Sequence, residues 1–225
     1  SASLLEHAEE KILQIGSQGM LRADDKMLST LIPRFNQMLM NRSENPGKLV
    51  GLSSGFIDLD SMTNGFKKGN LIVLAGRPSM GKTSLAMNMA EHCAIKEHLP
   101  VLVISLEMTA DELTTRLVGS VGRINQTNLA TANLADLEWG RVAEAMETLH
   151  PTPIEIQDSN VSTIGEIRAM ARRALHRHRR LGLVIVDYLQ LVKGSGEGTQ
   201  ENRATEVGNV SRGLKLLAGE LVCPI

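Results

Sequence analysis

Aromatic side chains are scarce in this sequence of 225 residues, where Phe, Tyr and Trp together make up 2%. A protein that binds nucleic acid by stacking bases on rings needs several of them, so the composition argues against a stacking platform. An excess of charge is also absent, because 24 Lys and Arg residues oppose 25 Asp and Glu residues. The whole chain therefore has no field that would hold nucleic acid or an anionic membrane, and any such contact must come from a local patch.

Cysteines and long apolar runs are equally rare. The two cysteines, Cys93 and Cys223, lie in apolar stretches without CxxC spacing. This pattern predicts small buried hydrophobic residues in a reducing compartment rather than a disulfide or a metal site. No apolar run approaches the ~20 residues that span a bilayer, and no basic-then-apolar leader opens the sequence. We therefore expect a cytoplasmic protein without membrane contact, whose 42% hydrophobic residues suffice for one substantial core.

One well-defined motif is present, the pattern G-x-x-x-x-G-K-[ST] at residues 76–83. An apolar run at residues 71–75 precedes it and predicts a buried parallel strand. Residues 84–94 follow with the three- and four-residue apolar spacing of a helix. Strand, loop and helix are the context that this phosphate-binding pattern requires. The loop consists of Gly76, Arg77, Pro78, Ser79, Met80, Gly81, Lys82 and Thr83.

The fixed positions of this loop have chemical reasons. Gly76 and Gly81 let the backbone wrap tightly with its N–H groups pointing inward, which forms a nest for anions. The helix that follows adds its first N–H groups and the positive end of its dipole. We expect Lys82 to reach the β- and γ-phosphates and the Thr83 hydroxyl to ligate Mg²⁺. The sequence therefore predicts a nucleoside triphosphate site, and the filled positions and correct flanks disfavour a chance match.

The chain divides at Asn45-Pro46-Gly47 into a helical linker region, residues 1–47, and an α/β core, residues 48–225. In the linker region, residues 4–15 and 24–40 each carry an amphipathic helical pattern. Pro33 lies inside the second pattern, so that helix either begins near Ser29 or Thr30 or is kinked. Both helices could cover their own domain, or the first could dock on a neighbouring subunit, and the sequence leaves both open.

In the core, apolar runs at residues 101–106, 153–157 and 183–186 predict strands. Helical patterns separate them, and two begin with capping boxes, Thr109 to Glu112 and Thr163 to Glu166. Another helical pattern, at residues 134–149, holds Trp139 on a predicted face with Leu137 and Val142. The last helix is predicted at residues 201–220. Alternating strands and helices predict a mostly parallel sheet flanked by helices. Residues 221–225 predict the opening of a further strand, so we expect the core to continue beyond them.

Two acidic residues follow predicted strands. Asp187 ends the run at 183–186 in the form of a Walker B strand, and could hold Mg²⁺ through water opposite Thr83. An aspartate that merely ends a strand is the alternative, which the phosphate loop disfavours. Glu107 ends the run at 101–106 and could orient the attacking water beside the γ-phosphate. An ordinary glutamate before a helix explains it equally well, and the residues alone leave both open.

A basic run at residues 172–180 contains five arginines and two histidines. It could form a nucleic-acid patch. The favoured interpretation is the solvated face of a helix, with cations near the C-terminus where the dipole attracts them. His176 and His178 lack companion ligands at metal spacing.

Three segments together resemble the replicative DNA helicases of the DnaB family. They are the loop at 76–83, Ser-Leu-Glu-Met at 105–108 and Asp-Tyr-Leu-Gln-Leu at 187–191, and the approach at 51–69 is also similar to the family. The resemblance covers residues 48–225 well and residues 1–47 in outline, where the family has a linker helix that docks on the adjacent ATPase domain. It implies a RecA-like P-loop NTPase core that forms a homohexameric ring, hydrolyses ATP with Mg²⁺ and translocates on single-stranded DNA. Primase and a helicase loader are the further partners that it suggests.

The resemblance also assigns roles to residues. Lys82 and Thr83 take the phosphate and Mg²⁺ roles, Glu107 matches the catalytic glutamate and Asp187 the Walker B aspartate. Arg116 is similar to a residue near the nucleotide base, and the loop at 194–205, with Arg203, takes the place of a channel-facing loop.

The family's scaffold domain is absent from this sequence, and its sensor glutamine, main DNA-binding loop and arginine finger would follow residue 225. Because such a finger is typically worth about 10³ to 10⁵ in turnover, we expect this chain alone to bind ATP but to hydrolyse it and unwind DNA poorly. Two alternatives remain. One is another RecA-fold ATPase of recombinase or clock type, and the other is a non-hydrolysing ATP-binding module that docks a loader or primase.

Overall fold

The computed structural model describes residues 27–45, 47–77, 79–158, 163–188 and 203–225, with only the backbone of residues 203 and 204. The helix predicted at residues 4–15 lies outside these ranges. Contacts within the chain separate a unit that ends at Lys48 from a unit that begins at Leu49. Among the described residues, no helix combines the length and apolar character that crossing a lipid bilayer requires.

Helix α1 (Leu28–Glu44) is the described element of the first unit. It begins one residue before the predicted start and continues through Pro33, which cannot donate the backbone hydrogen bond of its turn. None of its residues is buried, and large apolar side chains such as Ile32 and Phe35 are exposed. The predicted amphipathic helix is therefore confirmed, but it adds no buried residue to a core.

The second unit is built on three parallel strands, β1 (Val101–Ser105), β2 (Ile154–Gln157) and β3 (Leu183–Asp187). Their order is β2-β1-β3, so β1 is central, and all five of its residues are buried. Ser105 aligns with Asp187 across β1 and β3, and Ile104 aligns with Gln157 across β1 and β2. The carboxyl ends of the strands therefore meet at one edge of the sheet, as the α/β prediction requires.

Helices cover both faces of this sheet. Leu102 and Ile104 of β1 pack in one cluster with residues of the helices at Ile164–His178 and Arg203–Leu221. Val101 and Val103 pack in another cluster with residues of the helices at Lys82–Ile95 and Ala110–Gly122. This alternation follows from the two-residue period of a strand. The helices of the unit are α2 (Ile57–Thr63), α3 (Lys82–Ile95), α4 (Ala110–Gly122), α5 (Gln126–Ala130), α6 (Asp136–Leu149), α7 (Ile164–His178) and α8 (Arg203–Leu221).

The strand predicted at residues 71–75 is wrong for this structure. Only its beginning is paired: the Ile72 N–H donates to the Ile225 carbonyl at 2.8 Å, and the Ile225 N–H donates to the Asn70 carbonyl at 2.9 Å. Val73 is 70% exposed. A strand needs a ladder along its length. Beyond Ile72, no described residue forms one with this segment.

The face predicted for Trp139 is also wrong. Val142 is buried, whereas Trp139 and Leu137 are 53% and 85% exposed. Residues two apart on a helix point in nearly opposite directions, so Leu137 and Trp139 cannot share one face. The buried side of α6 is formed by Val142 and Ala145, which are three residues apart.

The approach to the loop, residues 51–69, is held by a buried carboxylate. Asp60 accepts hydrogen bonds from the Ser53 hydroxyl at 2.6 Å and from the Ser54 backbone N–H at 2.8 Å. Burial raises the pKa of Asp60, but the hydrogen bonds from Ser53 and Ser54 outweigh it, so the pKa lies below its usual value. An antiparallel bridge between Leu52 and Phe66 closes the segment.

Candidate nucleotide-binding site

The phosphate loop turns directly into α3. Gly81 is the N-cap of this helix, with φ of +82°, and Ser79 before it also has a positive φ of +62°. A Cβ at Gly81 would meet no atom within 4 Å, so the conformation and not the available space favours glycine here. The first N–H groups of α3 have no partners within the helix and lie beside the loop, which is the arrangement that binds phosphate.

Lys82, the first residue of α3, joins the two ends of the loop. Its Nζ donates to the Gly76 carbonyl at 3.1 Å. A Cβ added to Gly76 would lie 3.5 Å from Lys82 Cγ, which is an ordinary contact. The structure therefore gives a conformational reason for glycine at position 81 and no steric one at position 76. Of the other predicted loop residues, Arg77 and Met80 are exposed, and Pro78 lies outside the described residues.

Thr83 and Asp187 are brought together although 104 residues separate them in the chain. The Thr83 hydroxyl donates to Asp187 Oδ2 at 2.6 Å, and Asp187 is buried at the end of β3. A hydroxyl and a carboxylate are hard oxygen ligands of the kind that Mg²⁺ takes, usually one or two from the protein beside waters and substrate phosphates. The two residues therefore fit the predicted cation.

Glu107 lies at the same edge of the sheet. The Leu106 N–H donates to the Asp187 carbonyl at 2.7 Å, which extends the β1–β3 ladder by one step, and the exposed Glu107 follows immediately. The Ser105 hydroxyl holds the turn, donating to the Met108 carbonyl at 2.6 Å and accepting from its N–H at 3.1 Å. Glu107 therefore lies two residues beyond Ser105, the residue that aligns with Asp187 in the sheet, in a turn fixed by Ser105.

The capping box predicted at residues 109–112 is present. The Thr109 N–H donates to Glu112 Oε2 at 2.9 Å, and the Glu112 N–H donates to Thr109 Oγ1 at 3.3 Å. The bonds from the Thr109 backbone and hydroxyl lower the pKa of Glu112. The box fixes the beginning of α4 two residues after Glu107.

Arg116 on α4 contacts α3 rather than the loop. Its Nη1 donates to the Ser84 hydroxyl at 3.1 Å, one residue after Thr83. One turn later, the Ser120 hydroxyl contacts Glu91 Oε2 at 2.7 Å and Asn88 Oδ1 at 3.3 Å. These bonds form a polar seam between the two helices. The sequence signal was the spacing 84, 88, 91 against 116, 120, which places each set on one helix face.

Sequence reasoning also missed Asp158. It directly follows β2, and its Oδ2 accepts a hydrogen bond of 2.8 Å from the backbone N–H of Ala110, the first residue of α4. The signal was available, because Asp158 is a third acidic residue just after a predicted strand. Glu107, Asp158 and Asp187 therefore follow or end three neighbouring strands at one edge of the sheet.

Other candidate residues lie elsewhere or outside the described ranges. Residues 189–202 are not described, so the predicted channel loop at 194–205 is represented only by the backbone at its end, where Arg203 begins α8. In the basic run, Arg172 pairs with Glu220, and the hydrogen bond from Arg172 lowers the pKa of Glu220. Arg177 and His178 pair with Glu155 at 2.9 and 3.3 Å. These pairs favour the solvated helix face over a nucleic-acid patch.

The two cysteines are free and fully buried, as predicted. Burial raises the pKa of each thiol, for Cys93 and for Cys223, to about 12. Both therefore behave as small hydrophobic residues of the core.

Comparison with known proteins decides the family. Residues 51–225 match the family model described as the DnaB-like helicase C terminal domain. The chain belongs to this family. The DnaB resemblance inferred from three motifs is thereby confirmed.

The curated replicative DNA helicase DnaB of Geobacillus stearothermophilus is 39% identical over 224 residues, which cover 99% of this chain and 48% of that protein. The chain thus spans about half the length of the curated relatives it matches. Among solved structures, one described as an ATPase domain matches with a TM-score of 0.80 and 28% identity, over 89% of this chain and 69% of that one. A DnaB-like replicative helicase, described with its interactions with primase, matches with a TM-score of 0.72 and 25% identity, over 96% and 57% of the two chains. The predicted RecA-like α/β fold is confirmed.

Proposed function

We propose that this chain is the motor part of an ATP-dependent replicative DNA helicase. In the proposed mechanism, ATP is hydrolysed at subunit interfaces, and channel loops move along the phosphate backbone of single-stranded DNA, so that the duplex is unwound. The observation that carries the proposal is the 2.6 Å contact between Thr83 and Asp187, one residue from the phosphate-loop lysine. The family and the names of the curated relatives support the same activity.

Each residue has a defined task in this proposal. The loop N–H groups and Lys82 bind the β- and γ-phosphates, because they present positive charge where the triphosphate is negative. Glu107 accepts a proton from the attacking water and orients it toward the γ-phosphorus. Arg116 of α4 contacts Ser84 of α3, just after the phosphate loop, and its proposed contact is the base of the nucleotide.

Thr83 and Asp187 would hold Mg²⁺, Thr83 directly and Asp187 through water. The cation, when bound, neutralises charge that develops on the β- and γ-phosphate oxygens. The protein's own contribution is to hold both oxygens in place on α3 and β3 before substrate arrives.

The proposed assembly is a homohexameric ring that works in the cytoplasm on single-stranded DNA. Primase is a proposed partner because a structural neighbour of 25% identity is described with its interactions with primase. A helicase loader is proposed from the family resemblance. Loop residues 194–205, with Arg203, are the proposed channel contact.

Two substitutions in the intact protein test the proposal. Lys82→Ala should abolish ATP binding, whereas Glu107→Gln should leave binding intact and remove most turnover, because glutamine cannot accept the proton. Equilibrium binding of a fluorescent ATP analogue and steady-state phosphate release measure the two effects separately. If both variants kept full replication activity, a docking module would explain the chain better than a motor. The family match already disfavours a recombinase-type ATPase.

A further inference from the structure

We infer that Asp158 is a positioning residue for Glu107, acting from the neighbouring strand through the first turn of α4. This inference rests on the proposed function, in which Glu107 orients the attacking water. Asp158 would thereby act in hydrolysis although its described hydrogen bond is to Ala110, and the bonds of Lys82 and of Asp187 do not include it.

Asp158 is bonded directly to the beginning of α4. Its Oδ2 accepts the Ala110 N–H at 2.8 Å across 48 residues of chain. Ala110 is the first residue of α4, so this N–H has no partner within its own helix. A carboxylate at this point also faces the positive end of the helix dipole. The bond therefore fixes where α4 begins relative to the end of β2.

Glu107 lies between two fixed points of the backbone. On one side, the Leu106 N–H is bonded to the Asp187 carbonyl at 2.7 Å. On the other side, Ala110 is bonded to Asp158. Only Glu107, Met108 and Thr109 lie between these two bonded residues. The Met108 N–H also donates to the Ser105 hydroxyl at 3.1 Å. The backbone that carries Glu107 is thus tied to β3 at one end and to β2 at the other.

A water that attacks phosphorus must be aligned within a narrow range, and a displacement of about 1 Å can cost on the order of 10²-fold in rate. Glu107 is exposed, so its side chain has little packing to hold it. Its precision must come from its backbone. Releasing the Asp158 anchor should therefore lower the rate of the chemical step while the phosphate loop keeps its affinity.

The test compares variants of the intact protein by single-turnover hydrolysis, with binding of a fluorescent ATP analogue and thermal unfolding as parallel readouts. We expect Asp158→Ala to lower the hydrolysis rate about tenfold and to change nucleotide affinity by less than about twofold. Asp111→Ala is the matched control, because Asp111 is an acidic residue of the same first turn. It should leave the hydrolysis rate unchanged.

Two conservative variants separate positioning from simple helix stabilisation. Asp158→Asn keeps an oxygen at the same distance and should restore most of the rate. Asp158→Glu keeps the charge but extends the side chain by one methylene, so it should stabilise α4 while restoring less of the rate. If the glutamate restored the rate better than the asparagine, helix charge and not position would matter, and the inference would be wrong. These two variants also keep the test decisive if Asp158→Ala fails to fold.

A double variant shows whether Asp158 acts through Glu107. On a Glu107→Gln background, Asp158→Ala should cause no further loss, because residues that act as one unit are not additive. If the rate losses of the two single variants multiplied in the double variant, the inference would be wrong. Its failure is distinguishable from failure of the proposed function: if Glu107→Gln alone left hydrolysis intact, the proposed function would fail first. If Glu107→Gln abolished hydrolysis and Asp158→Ala did not reduce it, only this inference would fail.

Discussion

At the scale of single residues, Gly81 and Gly140 allow the effect of backbone conformation on stability to be measured apart from the effect of available space. Gly81 and Gly140 would each accept a Cβ without contacting any atom within 4 Å. They differ in conformation, since Gly81 has φ of +82° and Gly140 lies within α6. Any difference between their alanine variants therefore reports the cost of a left-handed backbone.

We expect Gly81→Ala to lower the free energy of unfolding by about 1 to 2 kcal/mol, because an L-residue is disfavoured at this φ. It should also weaken ATP binding, since relief of that strain would turn the loop N–H groups away from the phosphates. Gly140→Ala should instead raise the free energy of unfolding by about 0.5 to 1 kcal/mol, as expected in a helix interior. Urea denaturation followed by circular dichroism measures both changes. Equal effects of the two variants would mean that the left-handed backbone at Gly81 has no energetic cost.

Which site residues could be predicted from sequence depends on how far apart their partners lie. Lys82 and Thr83 could be proposed because their whole motif is local. Asp187 and Glu107 could be proposed as acids after apolar runs, with the role of Glu107 taken from the family resemblance. The strand register then places Glu107 two residues beyond Ser105, which aligns with Asp187. Asp158 carries the same signal, an acid after a predicted strand, but its partner, the Ala110 N–H, is a backbone group 48 residues away. A backbone donor leaves no residue-type signal in a sequence.

At the scale of secondary structure, the two capping boxes were predicted and are nearly identical in geometry. At Thr109 the two bonds measure 2.9 and 3.3 Å, and at Thr163 they also measure 2.9 and 3.3 Å. Both begin long helices that pack on the sheet, α4 and α7. Only the first box adjoins the turn that carries Glu107, so the pair forms a matched comparison.

Thr109→Ala and Thr163→Ala should lower the free energy of unfolding by similar amounts, about 0.5 to 2 kcal/mol each, because each removes an N-cap acceptor. Only Thr109→Ala should also slow hydrolysis per folded molecule, since it loosens the start of α4. Chemical denaturation gives the stabilities, and phosphate release in the intact protein gives the rates. A slowing by Thr163→Ala of the same size would show that general destabilisation, and not the position of Glu107, sets the rate.

Elements that depend on distant partners were predicted less well. The strands β1, β2 and β3 agree with the predicted runs to within one residue, because β2 and β3 each form a ladder with the central β1. Residues 71–75 have the same apolar character, but among the described residues this segment forms a ladder bond only with Ile225. Apolar composition predicts the tendency to form a strand, whereas the strand itself requires a neighbour.

At the scale of the whole molecule, the fold class followed from the alternation of strands and helices, and the family from three short motifs. The parallel order β2-β1-β3 could not be read from these signals. It depends on which strands bury β1 from both sides, which is a property of the packed sheet. The proposed ring likewise depends on contacts between chains. A sequence motif shows the residues on one side of such a contact but not which residues of the neighbouring chain meet them.

The ring and its interface sites can be tested by mixing subunits. If six subunits hydrolyse ATP at shared interfaces and advance along DNA together, one Glu107→Gln subunit should impair its neighbours. Unwinding should then fall much more steeply than in proportion to the fraction of Glu107→Gln subunits in rings assembled with wild-type protein. Strand-displacement assays measure this fall, and negative-stain images with an ATP analogue show whether the particles are six-membered rings. Rings diluted to the same extent without variant subunits provide the control for simple dilution. A strictly proportional fall would mean that each subunit works alone, and filaments in place of rings would contradict the proposed assembly.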